Sequence, residues 1–564
     1  MKKNWAIRKE NRKLTDKISK SLGISPLTAQ ILVNRGIGNE TEANLFLNST
    51  LFDLPSPYLM KGMDRAVERI KRAIVNREKI AIYGDYDVDG VTSTALFYTF
   101  LKGLGADVVF YNPDRLREGY GVNIEAVRKL AEGGVKLFIS GDCGITAVKE
   151  VEEAKRLGAD FIVTDHHKPP EELPDAVSIL NPQLPDCKYP GKTIAGVGVM
   201  FNFAVALRRA LREDGFFRNG EPNLADYLDL VALGTVADCA PLTDVNRIFV
   251  REGMKRMENP KRTGILALKE ASSITGAVST FDLGFKLGPR INASGRLSTA
   301  GKAVELFISD DLSDAREIAK ALSRENSNRQ SIEGEILSDA VSQIESVPGI
   351  LNPNSIVIAS PDWHPGIIGI VASRIVERYE RPAILIAIDR NGIGKGSGRS
   401  VEGVNIYSAL SECRELFEQF GGHEQAAGLS IRAEKIERFR EMFEKSIAGS
   451  GHSYEPRLDI DYEVEFNQLT DALLTELGML EPYGIGNPEP LLAARSVEVV
   501  SQRTFKDKHL GLRLRQGNVS LDGIWFNSGE ISTLPDKIDI VFTPEFNKWN
   551  GGKDIRLRII DGSW

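Results

Sequence analysis

The chain has 564 residues, 42% of them hydrophobic and 26% charged, with a net charge of −7. This ordinary composition gives room for three or four domains. No apolar run reaches membrane length, and the negative balance argues against an overall basic nucleic-acid coat without excluding a local groove. The first residues, MKKNWAIRKENRKL, are basic but lack the apolar segment of a secretory signal. Cys143, Cys187, Cys239 and Cys413 form no CxxC pair, so neither a zinc knuckle nor a disulfide framework is indicated and a reducing cytoplasm is expected.

Residues 1–75 read as helical, broken at Gly36-Ile37-Gly38 and Pro55-Ser56-Pro57. Met63, Ala66, Val67, Ile70 and Ile74 fall at helical spacing and lead into a first strand. From 79 to 182, the apolar runs Ile80–Tyr83, Val108–Tyr111, Leu137–Ser140, Phe161–Val163 and Val177–Leu180 alternate with helical stretches such as Asn123–Glu132 and Thr146–Leu157. This pattern predicts a parallel, doubly wound α/β sheet. Polar residues follow the first four runs, at the strand ends where such sheets bind ligands.

The first of these ends is KIAIYGDYDVDGVTST, residues 79–94. Asp85, Asp87 and Asp89 alternate, and in extended backbone alternate side chains share a face, so three carboxylates converge. Unpaired, they repel. A hard divalent ion such as magnesium or manganese relieves the conflict. Gly90 ends the loop, and Thr92, Ser93 and Thr94 offer caps for a helix over Ala95–Leu104. The competing readings are a solvated acidic turn and a calcium loop. Counted from Asp85 as an EF-hand, Gly90 fits position six, but Leu96 occupies the place of the required Glu.

Asp142, in Gly141-Asp142-Cys143-Gly144, is either a ligand or an Asx-type turn, and Asp238 either a ligand or a helix cap. Cys143 and Cys239 read as small buried residues. Asp165-His166-His167 follows the fourth run directly. Extended backbone sends the two rings opposite ways, so one histidine can bind metal while the other reaches substrate or donates a proton.

Helices are predicted over Ala195–Arg212 and just before Asp238, and one long helix over Asp310–Glu345. A second α/β pattern has strands at Ser355–Ala359 and Ala383–Ile388 and a helix at Gly366–Arg378. Within it GKGSGRS, 394–400, is either a flexible basic loop or a phosphate pocket. In the second reading its glycines admit backbone amides beside Lys395, Ser397 and Arg399. Arg115, Arg290 and Arg296 are candidate partners across a cleft. The last hundred residues are β-rich, and Arg503, Phe505, Lys506, Lys508 and Trp525, with Phe526 and Trp549 beyond, are either a solvated face or a single-strand-binding surface.

DYDVDG, GDCG, TDHH, GTVADCAPL and RINASGR, in this order, resemble the DHH phosphoesterase superfamily. WHPGIIGIVASR, GKGSGRS and FGGHEQAAG resemble its DHHA1 domain, and nearly the whole chain resembles the RecJ family of bacterial single-strand-specific 5′→3′ DNA exonucleases. The resemblance implies a helical extension (1–75), a DHH domain (76–245), a helical region with a long connecting helix (246–345), a DHHA1 domain (346–452) and an oligonucleotide-binding (OB) fold (453–564). It implies two cations, Mn2+ or Mg2+, on Asp85, Asp87, Asp89, Asp142, His166 and Asp238, with Asp142 bridging and His167 beside the scissile phosphate. A bridging water of lowered pKa would attack in line and release 5′-mononucleotides. Many members carry a histidine where this chain has Tyr83, so Asp85 is expected to substitute. The later motifs imply substrate contacts from Arg290, Asn292, Arg296, His364, Arg374 and His423. Single-stranded DNA is the implied substrate, single-strand-binding protein and a RecQ-type helicase are implied partners, and the protein is expected to be a cytoplasmic monomer with no membrane association. Two other readings compete: a phosphodiesterase for short oligonucleotides or cyclic dinucleotides, whose examples generally lack the flanking domains, and a noncatalytic replication scaffold, whose examples have eroded ligands.

Overall fold

The computed structural model describes all residues except 1–3, 115–117, 120, 219, 298–299, 347–351, 450–456, 507, 530, 532 and 548–553. Arg115 and Trp549 therefore lie outside the described residues.

The first sheet is parallel and five-stranded, in the order Val108–Tyr111, Lys79–Gly84, Val135–Gly141, Asp160–Thr164, Ser178–Leu180. Ile80, Ala81, Ile82 and Tyr83 are fully buried, as a strand covered on both faces requires. The helices Val88–Gly103 and Gly196–Glu213 pack together on one face, and Leu228–Ala237 packs on Val88–Gly103. The order turns at Lys79–Gly84, whose carboxyl end carries the aspartates, so the acidic loop sits at the switch point of the sheet.

The connecting helix, Leu312–Ser346, serves two cores. Its Ala315, Ala319 and Leu322 pack with the first domain, and Ile336, Ala340 and Ile344 pack with the second. At 1.5 Å per residue its 35 residues span about 50 Å. The second sheet is mixed, in the order Phe417–Gly422, Ala426–Arg432, Ile393–Arg399, Ala383–Ile388, Ile356–Ser360. GKGSGRS is therefore an internal antiparallel strand rather than a loop. Alternation of glycine with larger residues is period-two patterning. A Cβ on Gly394, Gly396 or Gly398 would lie 2.6–2.8 Å from Ile386, Leu429 or Ile406, so the glycines let the sheet pack closely against its core.

In the last region, the strands Leu492–Phe505, His509–Gln516, Val519–Trp525, Ile555–Ser563 and Lys537–Phe546 pair in that order. The last pairs back to the first and closes a five-stranded barrel. The opening region differs from the all-helical expectation. Asn4–Ile7 is a strand pairing in parallel with Arg457–Ile460. Ile18, Ile31, Leu32 and Leu47 share one hydrophobic core with Phe466, Leu514, Ile540 and Ile559. Arg247 fastens this joint unit to the first domain. It is 1% exposed, lies 4.0 Å over the Phe46 ring, and donates to the carbonyls of Phe46, Met479 and Leu480. No described helix is long and apolar enough to cross a membrane.

Candidate metal centre and substrate cleft

The helix after the first strand begins at Val88, not Ala95. Asp87 is its cap, accepting from the Gly90 N–H at 3.0 Å, and Thr92, Ser93 and Thr94 are buried inside it. The aspartates therefore converge through a turn and a helix start, not through extended strand. They also divide. Candidate ligand atoms of Asp85, Asp87 and Asp142 lie within 4.8 Å of one another, and those of Asp89, His166 and Asp238 form a second such group. Asp142 joins the two: its Oδ1 is 3.0 Å from His166 Nε2, which lies 3.8 Å from Asp89 and from Asp238.

Backbone groups hold this cluster. The first helix turn of Gly196–Glu213 grips Asp89, with Gly196 N–H donating at 2.6 Å and Val197 N–H at 2.8 Å. Gly196 also admits Asp142, whose Cβ would be 2.7 Å from any Cβ added there. Asp142 has φ 62°, in the left-handed region, which costs an L-residue about 1–2 kcal/mol. Asp238 ends its helix as the cap residue, and its carboxylate also faces the cluster, where it could serve as a ligand. Cys143 is buried as expected, but Cys239 is exposed, because it follows the helix end in a left-handed turn. Tyr83 packs with Ala126 and Cys143, and its hydroxyl accepts from the Asn123 N–H at 3.0 Å.

The two histidines do not point opposite ways. Asp165 Oδ1 accepts from the N–H of His166 at 2.7 Å and of His167 at 3.0 Å. This Asx-type turn replaces extended backbone and sets the rings side by side, with centroids 4.5 Å apart. Asp165 also meets His167 Nδ1 at 2.7 Å and accepts from Ile145 N–H at 2.9 Å. Its role as organiser went unread in the sequence, although an Asp directly before two histidines at a strand end was the signal for it.

Burial, then the charges of Asp89 and Asp87, push the Asp142 carboxyl well above its ordinary range. Burial and Asp87 raise Asp89 to about 7, and burial with Asp89 and Asp87 raises Asp238 to about 9. Burial and neighbouring His167 lower His166 to about 4, leaving a neutral ring suited to metal. Burial works against a charged His167, but the hydrogen bond to Asp165 and the surrounding carboxylates outweigh it and hold the ring up to about 9. Five crowded carboxylates and one neutral imidazole on 3–5 Å spacings fit hard divalent cations, whose charge removes this frustration.

The helix Gly288–Leu297 connects this centre to the second domain. Asn292 Oδ1 accepts from the Val88 N–H at 3.2 Å, Gly295 sits against the Tyr86 carbonyl, and Arg296 donates to the Gly366 carbonyl at 2.9 Å. A cleft of about 380 Å³ opens here, lined by Phe285, Asn292, Arg296, Arg329, Glu333 and Arg374 among others. Arg290 turns instead to Ser323 and the Lys286 carbonyl. His364 accepts from the Gly366 N–H. Ser397 and Arg399 face the start of the helix Ile368–Tyr379: a Cβ on Gly369 would be 2.8 Å from Ser397 Oγ and 3.3 Å from an Arg399 nitrogen. Strand pairing on both sides consumes the backbone of GKGSGRS, so its amides cannot line a pocket. The helix start opposite brings Gly369 against these side chains, while the N–H groups of Gly366, Ile367, Ile368 and Ile370 there are taken up by His364 and Ile367. Lys395 and His423 are exposed on this sheet.

On the barrel, Trp525 is 9% exposed and belongs to the core, which removes it from strand stacking. The aromatic group at the surface is Phe505, His509 and Phe526, with successive centroids 5.3 and 5.2 Å apart. Arg495, Arg513 and Arg515 are paired with acids. Arg503, Lys506 and Lys508 are exposed beside the aromatics.

Residues 79–235 match the DHH family N-terminal domain, 352–449 the DHHA1 domain and 460–561 the RecJ OB domain. The chain is 39% identical to the single-stranded-DNA-specific exonuclease RecJ of Bacillus subtilis (strain 168), over 100% of this chain and 71% of that protein. It is 36% identical to the Escherichia coli (strain K12) protein of the same name, over 96% of each. The crystal structure of RecJ in complex with Mn2+ from Thermus thermophilus superposes with a TM-score of 0.85 at 31% identity, covering 100% of this chain and 79% of that one. With three matching domains in order around one carboxylate–histidine centre, the chain belongs to the RecJ family of DHH-type metal-dependent hydrolases.

Proposed function

We propose that this protein is a 5′→3′ exonuclease that degrades single-stranded DNA to 5′-mononucleotides. The observation that carries the reading is the double carboxylate group joined through Asp142 and His166, with the helix of Asn292 and Arg296 leading from it to a cleft that Arg329 and Arg374 also line. The names of the relatives supply the substrate class. Two divalent cations, Mn2+ or Mg2+, would sit on Asp85, Asp87, Asp89, Asp142, His166 and Asp238. When bound they would supply an activated water and neutralise charge on the phosphate oxygens.

The chain's own groups do the rest. His166 presents a neutral nitrogen. Asp165 engages His167 Nδ1, which leaves the other ring nitrogen of a charged imidazolium to donate toward a phosphate oxygen. Arg399 and Ser397, against the start of Ile368–Tyr379, would grip a terminal 5′-phosphate and fix polarity. Lys395, His364 and His423 lie on the same domain. Arg503, Phe505, Lys506 and Lys508, with His509 and Phe526 in place of Trp525, would hold the strand upstream. The domain limits given above, action as a cytoplasmic monomer in DNA repair and recombination, and cooperation with single-strand-binding protein and a RecQ-type helicase are part of the same proposal.

The test is digestion of 5′- and 3′-labelled single strands with Mn2+, Mg2+ or chelator. The reading requires mononucleotides released from the 5′ end, with metal only. Turnover in excess chelator, or release from the 3′ end, would overturn it.

A further inference from the structure

Asn246 is 1% exposed, on the first turn of the helix Asp244–Glu258. Its Nδ2 donates to two carbonyls at 2.9 Å each, those of Thr193 and Pro241. An amide turned the other way would set its oxygen against both, so the two carbonyls fix its orientation. Its Oδ1 meets no donor among the described residues, a cost that a side chain kept only for stability need not carry. Each carbonyl lies three residues along the chain from a group of the metal centre. Thr193 precedes Gly196, whose N–H grips Asp89 together with that of Val197. Pro241 follows Asp238.

Asp238 needs such support. Among the described residues no N–H donates to its carboxylate, which meets His166 at 3.8 Å, whereas Asp89 receives two. Its position therefore follows its backbone, which leaves the helix Leu228–Ala237 and turns at Cys239 with φ 59°. Beyond Pro241, the Leu242 N–H donates to the Ile485 carbonyl at 2.7 Å. Ile485 sits on a tight turn over Gly484–Asn487, closed by reciprocal backbone hydrogen bonds of 2.8 and 3.0 Å. A Cβ on Gly484 would lie 2.7 Å from Leu242, and one on Gly486 3.2 Å from Pro241. Buried Asn487 fastens the turn to the Leu480 and Pro482 carbonyls, and Arg247, next to Asn246, holds those of Met479 and Leu480. The segment behind Asp238 is thus held from inside by Asn246 and from outside by the unit that carries the barrel.

We propose that Asn246 is a positioning residue for the cation of the Asp89, His166 and Asp238 group: its amide ties the segment behind Asp238 to the segment behind the Asp89 clamp, and the Gly484–Asn487 turn backs that tie. The brace rests on the two-cation reading above and adds to it a residue that touches neither metal nor DNA. One buried amide that holds both segments keeps Asp238 and the Asp89 clamp at their spacing without a cation, so binding one costs less reorganisation. The Asp85, Asp87 and Asp142 group stands on other segments and gains little from it.

The experiment titrates Mn2+ into the DNA-free, full-length protein and counts the free ion by electron paramagnetic resonance. Wild type should take up two ions. Asn246→Leu, close in size but without donors, should weaken one of them about ten- to a hundredfold and leave the other within about twofold. In single-strand digestion it should raise the half-saturating Mn2+ concentration by a similar factor, while kcat at saturating Mn2+ and KM for DNA stay within about twofold. In an Asp238→Asn background, where that group is already broken, the same substitution should add less than about twofold. Leu268→Ala, a truncation elsewhere in the core of the first domain, should lower the melting temperature yet leave Mn2+ uptake unchanged, which separates the brace from general loss of stability. Gly484→Ala, on the exposed face of the turn, presses a methyl on Leu242 and should reproduce the Mn2+ shift at a few fold, so it carries the test even where Asn246→Leu does not fold. Wild-type Mn2+ uptake in Asn246→Leu, or in Gly484→Ala where that variant alone folds, overturns the brace. So does an equal loss in Leu268→Ala, or an undiminished effect in the Asp238→Asn background. Wild type that takes up fewer than two ions sinks the two-cation reading itself, a separate outcome that the brace does not survive.

Discussion

The two sheets deliver chemistry in opposite ways. In the parallel sheet, every site residue but Asp238, which ends a helix, stands beyond a strand's carboxyl end, where turns and helix starts have backbone N–H groups to spend: Gly90 on Asp87, Gly196 and Val197 on Asp89, His166 and His167 on Asp165. In the mixed sheet, Lys395, Ser397 and Arg399 stand within an internal strand whose backbone is paired on both sides. There only side chains can act. The first arrangement can confine buried charge. The second can present a rigid row of side chains to a phosphate.

The comparison is sharpest where one substitution should abolish and another only bias. Asp142→Ala removes the carboxylate that links the two groups through His166, and exonuclease activity should fall about a thousandfold or more. Stability without metal should hold or rise, because a crowded buried carboxyl is gone. Retained activity in a single-strand digestion would show that the groups do not work through Asp142. Arg399→Ala should cost about ten- to a hundredfold, and only on the preference for 5′-phosphate over 5′-hydroxyl ends. If the variant keeps that preference in competition assays, polarity is set elsewhere.

The pH response should divide the sheets too. Asp89 and Asp238 titrate at about 7 and about 9 in the folded chain, above the ordinary value of 3.8. Their contribution to stability is fully present below that ordinary value and is lost as pH rises through 7 and 9. In chelator, melting temperature should therefore fall across this window, and Asp238→Asn should flatten the alkaline part. Divalent metal should remove most of the slope. A chelated protein whose alkaline slope is unchanged by Asp238→Asn would refute this account. The smallest effect should come from Gly396→Ala. Its new methyl meets Leu429 at 2.7 Å, which should cost about 1–3 kcal/mol and lower the melting temperature by several degrees. The preference for 5′-phosphate should survive, since no amide of this strand is on offer. Loss of that preference with unchanged melting would revive the loop reading.

Much of this was legible because parallel strands announce themselves. Apolar runs such as Ile80–Tyr83 and Val108–Tyr111 are unbroken, and polar residues at their ends are conspicuous. What the sequence hid was local backbone. Alternating aspartates look extended until Asp87 caps a helix, and adjacent histidines look opposed until Asp165 draws both N–H groups to one oxygen. GKGSGRS misleads for the converse reason, because glycine density reads as loop while its spacing of two is strand. Trp525 could not be told from Phe526 by composition: which of two neighbours faces the core depends on register across the barrel.

The core shared by residues 18–47 and 464–559 has a temporal consequence. A ribosome adding about 5–20 residues per second finishes the first helices roughly twenty to eighty seconds before their partners emerge. Through that interval Ile18, Ile31, Leu32 and Leu47 have no native surface to cover them, so the nascent chain offers a natural client for a holding chaperone. The same bond across the sequence means that removing the barrel also strips the cover from the opening helices. A truncation at about residue 455 therefore creates a sticky fragment rather than a trimmed enzyme.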